Sequence, residues 1–223
     1  MKFTILASGS RGNCCIIESS DAQIMIDCGT TKKYLNECFH QLQYDDTATD
    51  ALLLTHSHSD HISQLKMFEH HLKYGPEEIE KHQIQVVKPF ECFMIHSTQI
   101  QVLPMSHDVT CVGYVLTCGN EKLVYMTDTG YVKAEIKEYI QNADYYIFES
   151  NHDIELLMQT NRPVYVKQRI INDCGHLCND EAAMVLSQVI GDRTKEIVLA
   201  HISQEGNTKE LALSTLMRYL HEL

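Results

Sequence analysis

Residues 55–61 read Thr55-His56-Ser57-His58-Ser59-Asp60-His61 and follow the short apolar run 51–54. Burying three imidazoles and a carboxylate at a strand end is unfavourable unless a cation binds them. Side chains two residues apart in extended backbone point to the same side, so His56, His58 and Asp60 can converge, whereas His61 faces another direction. The spacing favours two metal ions, one at His56 and His58 and one at Asp60 and His61. The alternative is a solvated loop that happens to contain histidines.

The length and charge of the chain limit its class. It has 223 residues and a formal net charge of −12. No stretch resembles a linker, so we predict a single domain over residues 1–223. The acidic balance argues against a broad basic surface for nucleic acid, although two divalent cations in a pocket would attract a phosphate. The nine cysteines, with no signal-like start and no long apolar run, predict a cytoplasmic protein with reduced thiols and no membrane contact.

Several other polar side chains also lie just beyond apolar runs that read as strands. They are His107, Asp128, His152 and His201. The ends of neighbouring strands lie close together, so we expect these residues to share one cleft with His56. Apolar periodicity predicts helices between the strands. The predicted helices are 31–43, 62–73, 132–141, 163–172, 179–190 and 208–221.

Three smaller features leave alternatives open. Asp27 follows a predicted strand and is either a turn residue or a hydrogen-bond partner that fixes the tautomer of a ligand histidine. The small-residue loop 8–13 is either a hairpin turn, which we favour from the loop alone, or a loop whose backbone amides hold an anion. Lys167 and Arg169 lie on the predicted helix 163–172, where they could contact a phosphate.

The complete His-x-His-x-Asp-His pattern of residues 56–61 resembles the metallo-β-lactamase fold superfamily. Within that superfamily the chain is similar to the YycJ/WalJ-like bacterial hydrolases, most specifically in Glu149-Ser150-Asn151-His152-Asp153 and Gly175-His176-Leu177. Further similar segments are 8–14, 106–108, 127–131 and 201–203, so the resemblance covers nearly the whole chain. Arg11 departs from the subgroup, in which a small residue is usual at that position.

The resemblance implies an α+β fold, an αββα sandwich of two mixed β-sheets flanked by helices. It also implies two divalent metal ions, for which zinc, manganese and iron are equally suitable. The implied ligands are His56, His58 and His107 for one ion, Asp60, His61 and His201 for the other, and Asp128 as the bridge between them.

The implied activity is hydrolysis by a hydroxide that bridges the two ions. The expected substrate is a phosphodiester, such as a DNA end trimmed by an exonuclease or a small nucleotide. Asp60 would orient the hydroxide, and His152 or His176 would protonate the leaving group. The expected substrate contacts are Ser10, Arg11, Asn13 and Asn151. The alternatives are a thioester, lactone or β-lactam hydrolase on the same metals, and a binding module without catalysis, against which the intact ligand set argues.

Overall fold

The computed structural model describes residues 1–221. Twelve strands lie in that range: β1 Lys2–Ala7, β2 Cys14–Glu18, β3 Gln23–Ile26, β4 Ala51–Leu53, β5 Lys73–Gly75, β6 Gln85–Val86, β7 Cys92–Ile95, β8 Thr98–Pro104, β9 Val112–Cys118, β10 Glu121–Met126, β11 Tyr145–Glu149 and β12 Glu196–Ala200. Seven α-helices lie in the same range: α1 Lys32–Leu42, α2 Ser59–Ile62, α3 Ala134–Ile140, α4 Ile154–Gln159, α5 Val164–Ile171, α6 Asn179–Val189 and α7 Lys209–His221.

The strands form two six-stranded sheets. One has the order β1-β2-β3-β4-β5-β6, and the other has the order β12-β11-β10-β9-β8-β7. In the first sheet, β1 to β3 are antiparallel and β3 to β6 are parallel. In the second, β10, β11 and β12 are parallel, whereas β7 and β8 are antiparallel. Two mixed sheets flanked by helices confirm the predicted fold class.

The contacts divide the chain into two compact units. The first consists of residues 1–104, 109–112 and 116–121, and the second consists of residues 105–108, 113–115 and the described residues from 122 onward. The prediction of a single domain stays a prediction. No helix of the described residues is both long enough and apolar enough to span a membrane. All nine cysteines are free in the described part of the chain.

Parallel strands place the chemistry-bearing segments within each unit. In the first unit, β3 and β4 run parallel, so the residues that follow them, Asp27 and the segment 54–61, leave the sheet at one edge. In the second unit, β10, β11 and β12 run parallel and are followed by Asp128, residue 150 and His201. The central strands are buried along most of their length, which explains why their sequences read as continuous apolar runs.

The predicted helices are confirmed except for 62–73. That segment contains the end of the short α2, a 3-10 turn at Leu65–Phe68 and the start of β5. The backbone N–H of Leu52 donates to the carbonyl of Leu72, so the end of the segment is drawn into the sheet. The helix α4 was not predicted, because Ile154–Gln159 is too short to show a clear period.

Lys73 is the charged group that holds this irregular segment. It is buried, and its Nζ donates to the carbonyls of Phe68, Glu69 and His71 at 2.8–2.9 Å. Burial lowers the pKa of the ammonium, and the charge of Glu69 opposes that shift. One side chain therefore donates to all three carbonyls, and the carbonyl of Phe68 also accepts from the backbone N–H of His71 at 3.1 Å.

We expect Lys73→Met to lower the free energy of unfolding by about 3 kcal/mol, because three carbonyls lose a charged donor that methionine cannot replace. Urea denaturation measures the change, with the exposed Lys66→Met as the matched control. Equal stability of Lys73→Met and the wild-type protein would show that these hydrogen bonds contribute nothing net.

Candidate metal and active site

The first unit carries three histidines of the segment after β4. His56 Nε2 lies 3.0 Å from His58 Nδ1, and the ring centroids of His56 and His61 are 4.0 Å apart. Asp60 Oδ2 lies 3.7 Å from His61 Nε2. His56 and His61 are buried, whereas His58 and Asp60 are partly exposed. Two of the predicted ligands, His56 and His58, thus precede α2, and the other two, Asp60 and His61, lie within its first turn.

Asp27 and Thr55 hold these histidines. His61 Nδ1 donates to Asp27 Oδ2 at 2.8 Å, and the Thr55 hydroxyl donates to the same oxygen at 2.9 Å. Because that hydroxyl is used as a donor, it accepts from His56 Nδ1 at 3.0 Å. Burial raises the pKa of Asp27, and His61 opposes the shift. Of the two roles left open for Asp27, the structure therefore gives it that of hydrogen-bond partner. The contribution of Thr55 was missed by sequence reasoning.

The loop 8–13 packs on the same segment through Asn13. The Asn13 side chain is fully buried, with Oδ1 accepting from Gly9 N at 2.9 Å and Nδ2 lying 2.8 Å from His61 Nε2. Its backbone N–H donates to the carbonyl of Asp60 at 2.8 Å. Burial leaves Asn13 no surface for the predicted substrate contact. Ser10 and Arg11, in contrast, are exposed at the tip of the loop.

Position 29 requires glycine because the backbone there lies directly against the backbone of Asp60 and His61. A Cβ at this position would lie 1.6 Å from the carbonyl oxygen of Asp60 and 2.3 Å from the backbone nitrogen of His61. The backbone of Cys28 also donates to the carbonyl of His61 at 2.8 Å. Backbone contacts thus fix the positions of Asp60 and His61 in this unit together with the side-chain hydrogen bond from His61 to Asp27.

The second unit also contains a cluster of possible ligands within itself. One ligand atom from each of Asp128, Glu149, His176 and His201 lies within 4.8 Å of all the others. Asp128 Oδ1 is 3.4 Å from His201 Nε2 and 3.7 Å from His176 Nδ1. Asp128, Glu149 and His201 are buried, and His176 is partly exposed. The parallel strands β10, β11 and β12 therefore bring together residues that are far apart in sequence.

Glu149 positions both imidazoles of this cluster. Its Oε1 accepts from His176 Nδ1 at 2.8 Å and from His201 Nδ1 at 2.9 Å. Its Oε2 accepts from the backbone N–H of Thr129 at 2.9 Å. Burial raises the pKa of Glu149, but the charges and hydrogen bonds of the two histidines outweigh burial and lower the pKa to about 2. Glu149 is therefore ionised at neutral pH.

Sequence reasoning missed Glu149 because it read the residue as part of a polar loop. A signal was present, since the carboxylate ends the apolar strand β11 as Asp128 follows the apolar strand β10. The same argument that singled out Asp128, namely the cost of a charge beyond a buried strand, applies to Glu149.

His107 lies near the cluster within the second unit. Its Nδ1 donates to the carbonyl of Gly175 at 3.2 Å, and its ring centroid is 5.4 Å from that of His176. Burial lowers the pKa of His107, and the charge of Asp128 opposes the shift. A neutral imidazole whose Nδ1 is used as a donor presents Nε2 as its ligand atom.

Asn151 and His152 are both buried in the second unit. Asn151 Nδ2 donates to the carbonyl of His201 at 2.9 Å, so it holds the backbone of that residue and has little surface for the predicted substrate contact. His152 is 1% exposed, and neither of its ring nitrogens has a hydrogen-bond partner in the described residues. Burial lowers the pKa of His152 to about 4, opposed by Glu149, so the ring is neutral at neutral pH.

Three of the site residues that follow strands adopt left-handed backbone angles. The φ values are 59° for Asp27, 58° for Asp128 and 55° for His201. Residues other than glycine rarely adopt this conformation, and such strain concentrates at functional sites.

A family model described as a Beta-lactamase superfamily domain matches residues 22–202. The chain belongs to the metallo-β-lactamase fold superfamily. Within the superfamily it is YycJ/WalJ-like, as its sequence motifs predicted. It is 33% identical to the exodeoxyribonuclease YycJ of Bacillus anthracis over 237 positions, which cover 100% of this chain and 90% of that protein. It is 32% identical to the exodeoxyribonuclease WalJ of Streptococcus pneumoniae, covering 98% of this chain and 88% of that protein.

Solved structures of the superfamily share the fold. The crystal structure of YhfI from Bacillus subtilis, a metallo-β-lactamase fold protein, has a TM-score of 0.74 at 19% identity and covers 97% of this chain and 91% of its own. At that identity the similarity concerns the fold alone. Together with the sequence relatives, superfamily membership makes this protein a metal-dependent hydrolase.

The side chains of each unit fit divalent metal ions of the kind the superfamily implies. A ligating histidine normally donates its other ring N–H to a carboxylate or carbonyl. Asp27 accepts from Nδ1 of His61, and Glu149 accepts from Nδ1 of His201. Nε2 of each ring is therefore left as the possible ligand atom. An ion at His61 Nε2 would have to displace the amide of Asn13 from its present contact. The donors are imidazoles and carboxylates without a thiolate, so they do not select one metal.

Proposed function

We propose that this hydrolase cleaves phosphodiester bonds and that its substrate is a DNA end. The observation that carries the proposal is the pairing of His176 with Glu149 beside Asp128 and His201. A carboxylate that accepts from Nδ1 of a partly exposed imidazole leaves Nε2 to give a proton to a leaving alkoxide. The two relatives named exodeoxyribonuclease support the same chemistry.

The proposed metal ligands are those that the superfamily resemblance assigns. We propose that the protein holds two divalent ions, and that zinc, manganese or iron could serve. The ligands would be His56, His58 and His107 for the first ion, Asp60, His61 and His201 for the second, and Asp128 for both. When bound, the ions supply a hydroxide nucleophile near neutral pH and polarise the phosphoryl group.

The side chains perform the remaining tasks. Asp60, which is partly exposed, orients the attacking water. His176 donates a proton from Nε2 to the leaving oxygen, and Glu149 keeps its Nδ1 protonated and its ring fixed. Of the two histidines proposed as the acid, His176 is the better placed, because His152 is buried and neutral at neutral pH.

We propose Ser10 and Arg11 as substrate contacts, and their exposure supports the proposal. Both are exposed at the tip of the loop 8–13, whose base is held by the buried Asn13. A guanidinium can bind two phosphate oxygens at once, which suits Arg11 to a phosphodiester. Hydrogen bonds of Asn13 hold the backbone of the loop, so the positions of Ser10 and Arg11 are restricted before the substrate binds.

The test is a substrate panel with added manganese or zinc. We expect turnover of a bis-aryl phosphodiester and of end-labelled DNA, no turnover of a thioester, lactone or β-lactam, and loss of turnover with a chelator. Asp60→Ala serves as the inactive blank, and the exposed Asp192→Ala serves as the matched active control. Turnover of only the thioester, lactone or β-lactam would refute the proposal.

A further inference from the structure

The exposed side of α5 carries an aromatic ring and a cation one helical turn apart. Tyr165 is 72% exposed, and Arg169 is also exposed. Residues four apart lie next to each other on a helix surface, about 5–6 Å between Cβ atoms. The opposite side of α5 is buried through Lys167 and Ile170. Tyr165 and Arg169 therefore form one continuous exposed strip.

Arg169 differs from Lys167 and Arg162, because the charged groups of those two side chains already have partners in the described residues. Lys167 is used internally, since its Nζ donates to the carbonyls of Met158 and Thr160 at 2.6 and 2.8 Å and closes the end of α4. Arg162 pairs with Glu205 at 3.0 Å. Arg169 makes no ion pair or hydrogen bond through its side chain within residues 1–221. Of the two cations predicted to contact phosphate, only Arg169 is thus available.

Backbone contacts connect the end of α5 to the loop that carries His176. The backbone N–H of His176 donates to the carbonyl of Ile170 at 2.9 Å, so the His176 loop folds back over the end of α5. A Cβ on Gly175 would lie 2.3 Å from the carbonyl oxygen of Arg169, so the two backbones are in contact. Arg169 therefore lies next to the loop that carries the proposed proton donor.

The loop after Asp128 extends the strip on its far side. A Cβ on Gly130 would lie 2.4 Å from the carbonyl oxygen of Asn172, just past the end of α5. The next residue, Tyr131, is 52% exposed, and Lys133 is exposed two positions later. Tyr165 thus lies near the start of α5 and Tyr131 follows the glycine that contacts the chain past its end, with a cation four and two residues away, respectively. The exposed Asp173 reduces the local net charge to about +1.

We infer that Tyr165, Arg169, Tyr131 and Lys133 form a binding track for the single-stranded end of a nucleic acid. The inference rests on the proposed function and specifies its substrate. Exposed aromatic rings stack on bases whatever their sequence, and unpaired cations between them bind the backbone phosphates. With two cations, the track neutralises about two phosphates, so binding should have a shallow salt dependence, with a slope of log K on log salt near −1.4.

The experiment separates binding from cleavage. Binding of fluorescent single-stranded DNA and RNA of about eight nucleotides is measured by anisotropy on full-length Asp60→Ala, with and without Tyr165→Ala, Arg169→Gln or Tyr131→Ala. We expect each second change to weaken binding about tenfold and Arg169→Gln to flatten the salt slope by about 0.7. Tyr139→Ala and Lys209→Gln, which remove an exposed ring and cation elsewhere in the unit, should leave binding unchanged.

A kinetic comparison completes the test. In the otherwise wild-type protein, the same three changes should raise KM for the oligonucleotide about tenfold more than KM for a bis-aryl phosphodiester, which spans no track. Equal effects on both substrates, or no effect on binding, would overturn the inference. So would light scattering that shows a dimer dissociated by Tyr165→Ala, since the exposed strip, with Val164 70% exposed beside it, would then be a protein interface. If no phosphodiester is cleaved but the variants lose oligonucleotide binding, the track stands and the proposed function fails.

Discussion

Asp128→Asn should lower kcat/KM for a phosphodiester by about 10³-fold or more, equivalent to about 4 kcal/mol of transition-state stabilisation. Asp128 is the one carboxylate proposed to serve both ions, and it lies 3.4 Å from His201 Nε2 within the second unit. The asparagine side chain keeps the shape but is neutral, so it balances less of the charge of the ions. Metal content and turnover should therefore fall together.

The measurement pairs elemental analysis of the purified variant with steady-state kinetics. Asp192→Asn, which makes the same chemical change at an exposed site, is the control and should retain both metal and activity. Thermal unfolding in the presence of a chelator shows whether the variant is folded without metal. Full activity of a folded Asp128→Asn would contradict the proposed ligand set.

Glu149→Gln should lower kcat/KM by about 10- to 100-fold, as is typical when the partner of a metal-ligating histidine is lost. Glu149 Oε1 accepts from the Nδ1 atoms of both His176 and His201, so one change disturbs the proposed proton donor and a proposed ligand together. A glutamine oxygen is a weaker acceptor and carries no charge to stabilise a protonated His176. We expect the pH profile of kcat to change along with its magnitude.

The pH dependence of stability provides a second readout for the same residue. The pKa of Glu149 is lowered to about 2 in the folded protein, below the value of about 4.3 of a free glutamate. A lowered pKa adds stability that is present above pH 4.3 and is lost as the pH falls toward 2. Glu149→Gln should therefore flatten the acid limb of the unfolding curve, whereas the exposed Glu155→Gln should not. An unchanged acid limb and an unchanged pH profile would show that Glu149 is only a packing residue.

Sequence alone was sufficient wherever function depends on spacing within a short segment. The spacing of His56, His58, Asp60 and His61 predicted a metal site, because ligand spacing on a strand end and a helix start is a local property. The same pattern carried the resemblance to the superfamily, and the resemblance implied the two-sheet fold class and the rest of the proposed ligand set. The strands and most helices could also be predicted from their periodicity. The segment 62–73 could not be predicted in this way. Its structure depends on the hydrogen bonds of Lys73 to three carbonyls and on pairing with β4.

Tertiary structure decided which polar residues support the site and which meet the solvent. Asn13 and Lys167 look like substrate contacts in sequence, but burial turns the first toward Gly9 and His61 and the second toward the end of α4. From sequence, Asp27 could equally have been a turn residue, and Glu149 was read as part of a loop. In the folded chain, Asp27 accepts from His61 and Glu149 accepts from His201. Such roles depend on which carboxylate lies within about 3 Å of which ring, and only the packing of distant strands sets that distance.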